Sequence, residues 1–166
     1  MEEILEFGIK RENEERRDGG CAIVFYPKIQ KFAVYRNLKN GVIGLFGGGF
    51  NEGEDEREGV LRELVEESGL TNFLYIEKIE KVATHYYNSN KEVNRIAFCS
   101  CYLIVLESDK LQQTKLESHE NFEFHWMDAP EILSAWESRN KNHDYDHWVY
   151  LFNKGIKMLK DLKYLS

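Results

Sequence analysis

The sequence predicts an α/β (α+β) domain in which a mixed β-sheet is covered by helices on both faces. Apolar, β-branched and aromatic runs of strand length recur at 21–27, 31–36, 73–84, 95–106 and 122–127. Apolar residues at helical spacing appear over 55–68 and again over about 145–161. Strands and helices alternate along the chain instead of falling into separate blocks, and that order places helices on each side of a sheet.

The first two runs flank Pro27-Lys28, a breaker that predicts a hairpin. Gly41 to Phe50 is a glycine-rich crossing that leads into the first helix, and Gly69 stands where a C-terminal cap belongs. The polar stretch Tyr87 to Asn94 connects two longer strands. Beyond the short strand at 122–127, Asp128-Ala129-Pro130 starts a helix that runs to about Trp136, with proline at an early helical position. In the last helix Trp148, Leu151, Phe152, Ile156 and Leu159 recur at spacings of three and four. With 166 residues, 42% of them hydrophobic, and neither repeat nor linker, the chain is expected to be one domain, 1–166, with residues 1–18 a flexible or peripheral N-terminal segment.

Composition excludes several functions. No stretch approaches the apolar length of a membrane span, and the N-terminus MEEILEFGIK is acidic and mixed, so the chain is expected in the cytoplasm. Cys21, Cys99 and Cys101 lie in apolar runs and are odd in number, which fits reduced core thiols. A net charge of −7 argues against DNA or RNA as a partner. It leaves room for a small phosphate-bearing substrate, because cations bound by carboxylates invert the local field.

The chemistry is concentrated in GGGFNEGEDEREGVLRELVEESGL. On a helix turning about 100° per residue, Glu63, Glu66 and Glu67 share one face, while Leu61, Leu64 and Val65 occupy the other. Three carboxylates that close repel each other unless hard, oxygen-seeking cations such as Mg²⁺ or Mn²⁺ bind among them. Gly59 falls on the same face in mid-helix, at a cost of about 1 kcal/mol relative to alanine, and close approach of metal or substrate is the expected reason. Glycines 47, 48 and 49 form a tight loop able to aim a backbone carbonyl at the metals. Arg62 reaches Glu66 one turn on and, through the preceding loop, Glu54, so it is expected to orient carboxylates.

Gly48, five residues, Glu54, seven residues and then Arg62-Glu63-Leu64-Val65-Glu66-Glu67-Ser68-Gly69-Leu70 matches the Nudix box at every defining position. Across residues 48–70 the chain resembles the Nudix hydrolases. Outside them the likeness is looser, and Phe46 stands where many members carry proline. The resemblance implies an α-β-α sandwich and a metal-dependent hydrolase that cuts a phosphoanhydride bond of a nucleoside diphosphate linked to another group. It implies Glu66 and Glu67 as central ligands, Glu63 as ligand or base, the Gly47 carbonyl as a frequent ligand, and Glu120 as the carboxylate that completes the site from outside the helix, with Glu117 and Glu123 as competitors. The metals would bind phosphate oxygens and lower the pKa of water, with Glu63 or Glu120 taking the proton.

The box leaves the substrate open. Tyr86 and Tyr87 stand sixteen and seventeen positions after Leu70, which resembles the dinucleoside polyphosphate hydrolases. His85, Lys91 and Arg95 are expected to line the polyphosphate beside them, and Trp148 is a lesser candidate for base stacking. Nucleoside triphosphates, oxidised ones included, are the alternative, followed by sugar nucleotides or capped RNA. From another class, the same fold serves as a non-catalytic nucleotide-binding module. The partner is expected to be a small nucleotide, with the chain a monomer or a homodimer.

Overall fold

The computed structural model describes residues 3–166. In chain order the elements are β1 (Glu6–Gly8), β2 (Glu15–Tyr26), β3 (Lys31–Asn37), β4 (Ile43–Gly44), β5 (Gly47–Gly49), α1 (Glu56–Ser68), β6 (Phe73–Asn88), β7 (Val93–Leu106), β8 (Phe122–Met127), α2 (Ala129–Arg139) and α3 (Asp146–Asp161). The strands form one mixed sheet in the order β1-β6-β7-β2-β3-β4, with β5 pairing β2 and β8 pairing β3. β2 runs parallel to β7, and β1 parallel to β6; the remaining pairs are antiparallel.

Alternation along β2 divides its side chains between two cores. Ala22, Val24 and Tyr26 meet Val60 and Leu64 of α1 on one face. Cys21, Ile23 and Phe25 meet Ile132 and Trp136 of α2 and Leu151, Phe152 and Leu159 of α3 on the other. This is the layered sandwich predicted from the sequence. All three cysteines are free thiols, with Cys21 Sγ and Cys99 Sγ 3.6 Å apart, and no helix among the described residues is long and apolar enough to cross a membrane.

The hairpin, the capped first helix and the long β6–β7 ribbon stand where the sequence placed them. The segment 3–18, expected to be flexible or peripheral, supplies β1 at the sheet edge, and its residues 15–18 begin β2, in register with Arg95–Phe98. Its charged composition hid these strands, whose pairing partners lie some eighty residues away. His85, expected to line the polyphosphate, is buried and fastens this segment instead: its Nδ1 lies 2.8 Å from a Glu14 carboxylate oxygen.

Helix α1 is anchored to the sheet at its N-terminus by Glu56, whose carboxylate accepts from Lys78 and Lys81 at 2.9 Å each. Burial raises the Glu56 pKa, but the hydrogen bonds from Lys78 and Lys81 are among the contacts that outweigh it and hold the carboxyl at about 2. A depressed folded-state pKa stabilises the fold above the unfolded value and loses that contribution as pH falls through the folded one. Glu56→Gln is therefore expected to lower the melting temperature at neutral pH, with the gap closing as pH falls from about 4.5 towards 2. Thermal denaturation across that range checks it; a gap that stays constant with pH would show that the charge contributes nothing.

Candidate active site

The loop before α1 and the helix itself are held together by one residue. Arg62 Nε donates to Glu54 at 2.8 Å, Nη1 to Glu63 at 3.0 Å and Glu66 at 3.2 Å, and Nη2 to Glu54 at 3.0 Å and the Gly49 carbonyl at 3.2 Å. Its guanidinium pKa is raised, first by Glu54. The same contact and the Asn51 amide hold Glu54 at about 2. The orienting role expected for Arg62 is thus matched by its hydrogen bonds, which satisfy all three guanidinium nitrogens.

Asp55 caps α1 by accepting from the Glu58 amide at 3.1 Å, and Gly69 ends the helix in the left-handed region at φ 80°. Between these caps Glu63 and Glu67 turn towards β5, which lies antiparallel on Gly19–Cys21. Glu67 is 5% exposed and accepts from the Gly47 amide at 2.8 Å. Oxygens of Glu63, Glu67 and Glu120 all lie within 4.8 Å of one another. Burial, the Glu120 hydrogen bond and the charges of Glu120 and Glu63 push the Glu67 pKa up to about 11, against the Gly47 amide, which lowers it. Glu63 is raised for the same first reason, burial, with Arg62 opposing. So many carboxylates cannot all stay ionised without cations, and an all-oxygen donor set of this kind fits a hard divalent ion.

Glu120 reaches the cluster on a strap, residues 107–121, tied to the end of α1. Leu111 bridges to Leu70, the Gln112 amide donates to the Gly69 carbonyl at 2.8 Å, and the Lys115 amide donates to the Glu66 carbonyl at 2.7 Å. Glu120 turns back to accept from the Glu117 amide at 2.9 Å. Its two competitors face elsewhere: Glu117 lies 3.5 Å from His119, and Glu123 lies 2.6 Å from His125.

Other expected site residues are distributed differently. Glu66 is drawn to Arg62 and stands outside the three-carboxylate cluster. Gly59 makes room for protein rather than for metal or substrate, since a Cβ there would lie 2.5 Å from the Phe50 ring and 2.9 Å from Glu54 Oε1. Tyr86 pairs with Arg95 and lies four residues beyond Val82, on the α2/α3 face, whereas Tyr87 pairs with Asn94 on the α1 face. The two tyrosines therefore cannot line one surface together. Lys91 sits exposed in the turn between β6 and β7, and Trp148 packs on Trp136, their ring centres 5.4 Å apart.

Sequence reasoning missed Tyr35. Its ring stacks on Phe122 at 3.9 Å and crosses Gly44, where a Cβ would fall 2.3 Å from the hydroxyl. Burial, followed by the charges of Glu67, Tyr145 and Glu120, raises its pKa. In KFAVYRN it reads as an ordinary strand aromatic, and no local signal distinguishes it.

The NUDIX domain model matches residues 17–150. This chain belongs to the NUDIX family. Membership and a box complete at every defining position make the NUDIX chain a pyrophosphohydrolase. The fold is similar to that of the NUDIX domain of Shewanella oneidensis NrtR complexed with ADP ribose, at 20% identity and a TM-score of 0.63 over 88% of this chain and 90% of that one. It is similar to a C. elegans Ap4A hydrolase at 18% identity and a TM-score of 0.60, covering 87% of this chain and 98% of the other. A MutT protein from Bacillus halodurans aligns at 18% identity and a TM-score of 0.54, over 72% of each chain. At these identities the neighbours establish the fold alone. Among curated protein sequences none matches the chain.

The NUDIX loop gives a test of how the carboxylates are positioned. A Cβ on Gly48 would lie 2.6 Å from the Glu63 carboxyl carbon and 2.8 Å from both its oxygens, and Gly48 has no positive φ. Gly48→Ala is therefore expected to leave the fold standing while it displaces the Glu63 carboxylate, with kcat falling about a hundredfold, the scale of an ångström-sized misplacement. Circular dichroism together with turnover checks it, and activity near that of the parent chain would refute the role given to this contact.

Proposed function

We propose that the chain is a divalent-metal-dependent hydrolase of dinucleoside polyphosphates, acting in the cytoplasm as a single domain over 1–166. The observation that carries the proposal is the convergence of Glu63, Glu67 and Glu120 within 4.8 Å. Mg²⁺ or Mn²⁺ would be held by these three with Glu66 and the Gly47 carbonyl, and once bound would stabilise charge on phosphate oxygens and lower the pKa of water. Glu63, held in place by Arg62 within the cluster, is suited to accept a proton in the attack once bound cations keep it ionised. Arg62 keeps Glu63, Glu66 and Glu54 in fixed positions. The leaving group departs as a phosphate or nucleotide.

A second nucleoside needs an exposed aromatic surface on the side of the sheet that carries the carboxylates. Tyr87 meets this: register puts it on the α1 face, and it is 51% exposed. Tyr86 and Arg95 lie on the opposite, α2/α3 face, so Tyr87 is the residue that supports the dinucleoside reading.

Two outcomes follow. Glu66→Gln and Glu67→Gln are each expected to cost at least about tenfold in turnover at equal metal concentration, with the chain still folded; release of phosphate or mononucleotide from a nucleotide panel measures it, and full activity in both variants sinks the assignment. Tyr87→Ala is expected to weaken diadenosine tetraphosphate by about 1–3 kcal/mol in kcat/KM and to spare ATP. Equal losses on both substrates would move nucleoside triphosphates ahead.

A further inference from the structure

Helix α1 ends on a buried hydroxyl. Ser68 is 2% exposed, and its Oγ donates to the Leu64 carbonyl at 2.6 Å while accepting from the Leu70 amide at 3.0 Å. In a helix that continued, the Leu70 amide would reach back four residues to the Glu66 carbonyl. Gly69, in the left-handed region, turns the chain away after its own amide has met the Val65 carbonyl at 2.9 Å. Leu70 is itself buried, so its amide needs a partner inside the protein, and Ser68 supplies it. The Glu66 carbonyl, one of those that a helix end leaves over, accepts instead from the Lys115 amide at 2.7 Å.

The backbone around this hydroxyl is what the strap holds. Leu111 bridges to Leu70, the Gln112 amide donates to the Gly69 carbonyl at 2.8 Å, and the Lys115 amide takes the Glu66 carbonyl. All three tethers fall within two residues of Ser68 in the chain. At the far end of the strap the Leu38 amide donates to the Asn121 carbonyl at 2.9 Å. Glu120 stands between the two anchorages, closes a turn with the Glu117 amide, and places its carboxylate with those of Glu63 and Glu67. Ser68 Oγ makes both of its hydrogen bonds to backbone, so any effect on the carboxylates passes through the strap.

We propose that Ser68 is a positioning residue for Glu120. Its hydroxyl holds the buried Leu70 amide and so keeps the Glu66 carbonyl open to the strap. Without the oxygen that amide is left buried and unpaired. The partners that helix-end geometry offers it are the Val65 and Glu66 carbonyls, and Glu66 is a tether of the strap. The strap then loosens over 111–115, and Glu120 loses its fixed place beside Glu63 and Glu67. This rests on the hydrolase reading above, in which Glu120 completes the site.

The test compares the parent chain with Ser68→Ala, Glu120→Gln and the double variant, by turnover of whichever nucleotide the parent cleaves fastest with Mg²⁺ and by backbone hydrogen exchange without nucleotide. In Ser68→Ala, exchange at the Gln112 and Lys115 amides is expected to rise at least about tenfold, with β2 and β7 still protected. Its kcat is expected to fall about tenfold with KM held, and the double variant to be no slower than Glu120→Gln alone, because a residue that acts through another has nothing further to lose. Parent-level exchange at those two amides, or a further loss of kcat in the double variant, overturns the proposal. Should Ser68→Ala not fold, Lys115→Pro removes the strap's amide from outside the helix; the same loss of kcat supports the proposal, and parent-level kcat overturns it. If the parent cleaves no nucleotide, or Glu120→Gln is as fast as the parent, the hydrolase reading of Glu120 fails, and exchange at Gln112 and Lys115 decides by itself whether Ser68 holds the strap.

Discussion

Crowded carboxylates are the constraint around which this fold is arranged. Glu54, Glu63 and Glu66 share the guanidinium of Arg62, while Glu67 and Glu120 press together at the buried end of the same helix. Bringing so many acids together costs free energy that local structure cannot recover, and Arg62 offsets it with its fixed fork of donors, one of them spent on the Gly49 carbonyl. Loop and helix are thereby fastened at one point. Arg62 acts on the carboxylates, which is why the positions of Glu63 and Glu66 relative to β5 follow from it.

The glycines of the box answer to the same crowding. At Gly48 a side chain would meet the Glu63 carboxylate, at Gly59 the Phe50 ring and Glu54, and at Gly69 the Gln112 carbonyl, 2.2 Å away. Only Gly69 also has a positive φ, so backbone freedom explains one of the three and close approach explains all of them. The Gly69 contact matters beyond the helix end, because Gln112 belongs to the strap that brings Glu120 to the cluster. Helix termination and completion of the site are therefore one packing event.

Much of this was legible beforehand. The period of about 3.6 in the box put the acids on one side of α1, and the caps at Asp55 and Gly69 are local signals that survive in any context. Gly59 was placed on the right face but given the wrong neighbour, since sequence spacing does not say whether a gap is filled by ligand or by Phe50. His85 looked like a phosphate contact because it adjoins Tyr86. Its actual partner, Glu14, is 71 residues distant in sequence. Tyr86 and Tyr87 appeared interchangeable until register sent them to opposite faces.

What the sequence determined by itself was the three helices and the five longer strands, the layered class and the helix-borne acids, because periodicity, capping and turn chemistry act over a few residues and need no distant partner. Tertiary structure decided which acids meet: Glu120 joins Glu63 and Glu67 while Glu66 stays with Arg62. It also laid the Tyr35 ring across Gly44 and onto Phe122. Those meetings depend on strand order, on the parallel pairing of β2 with β7, and on helices packing from both sides of the sheet. None of these leaves a trace in local composition, because a contact between distant segments is fixed by the shape of everything between them.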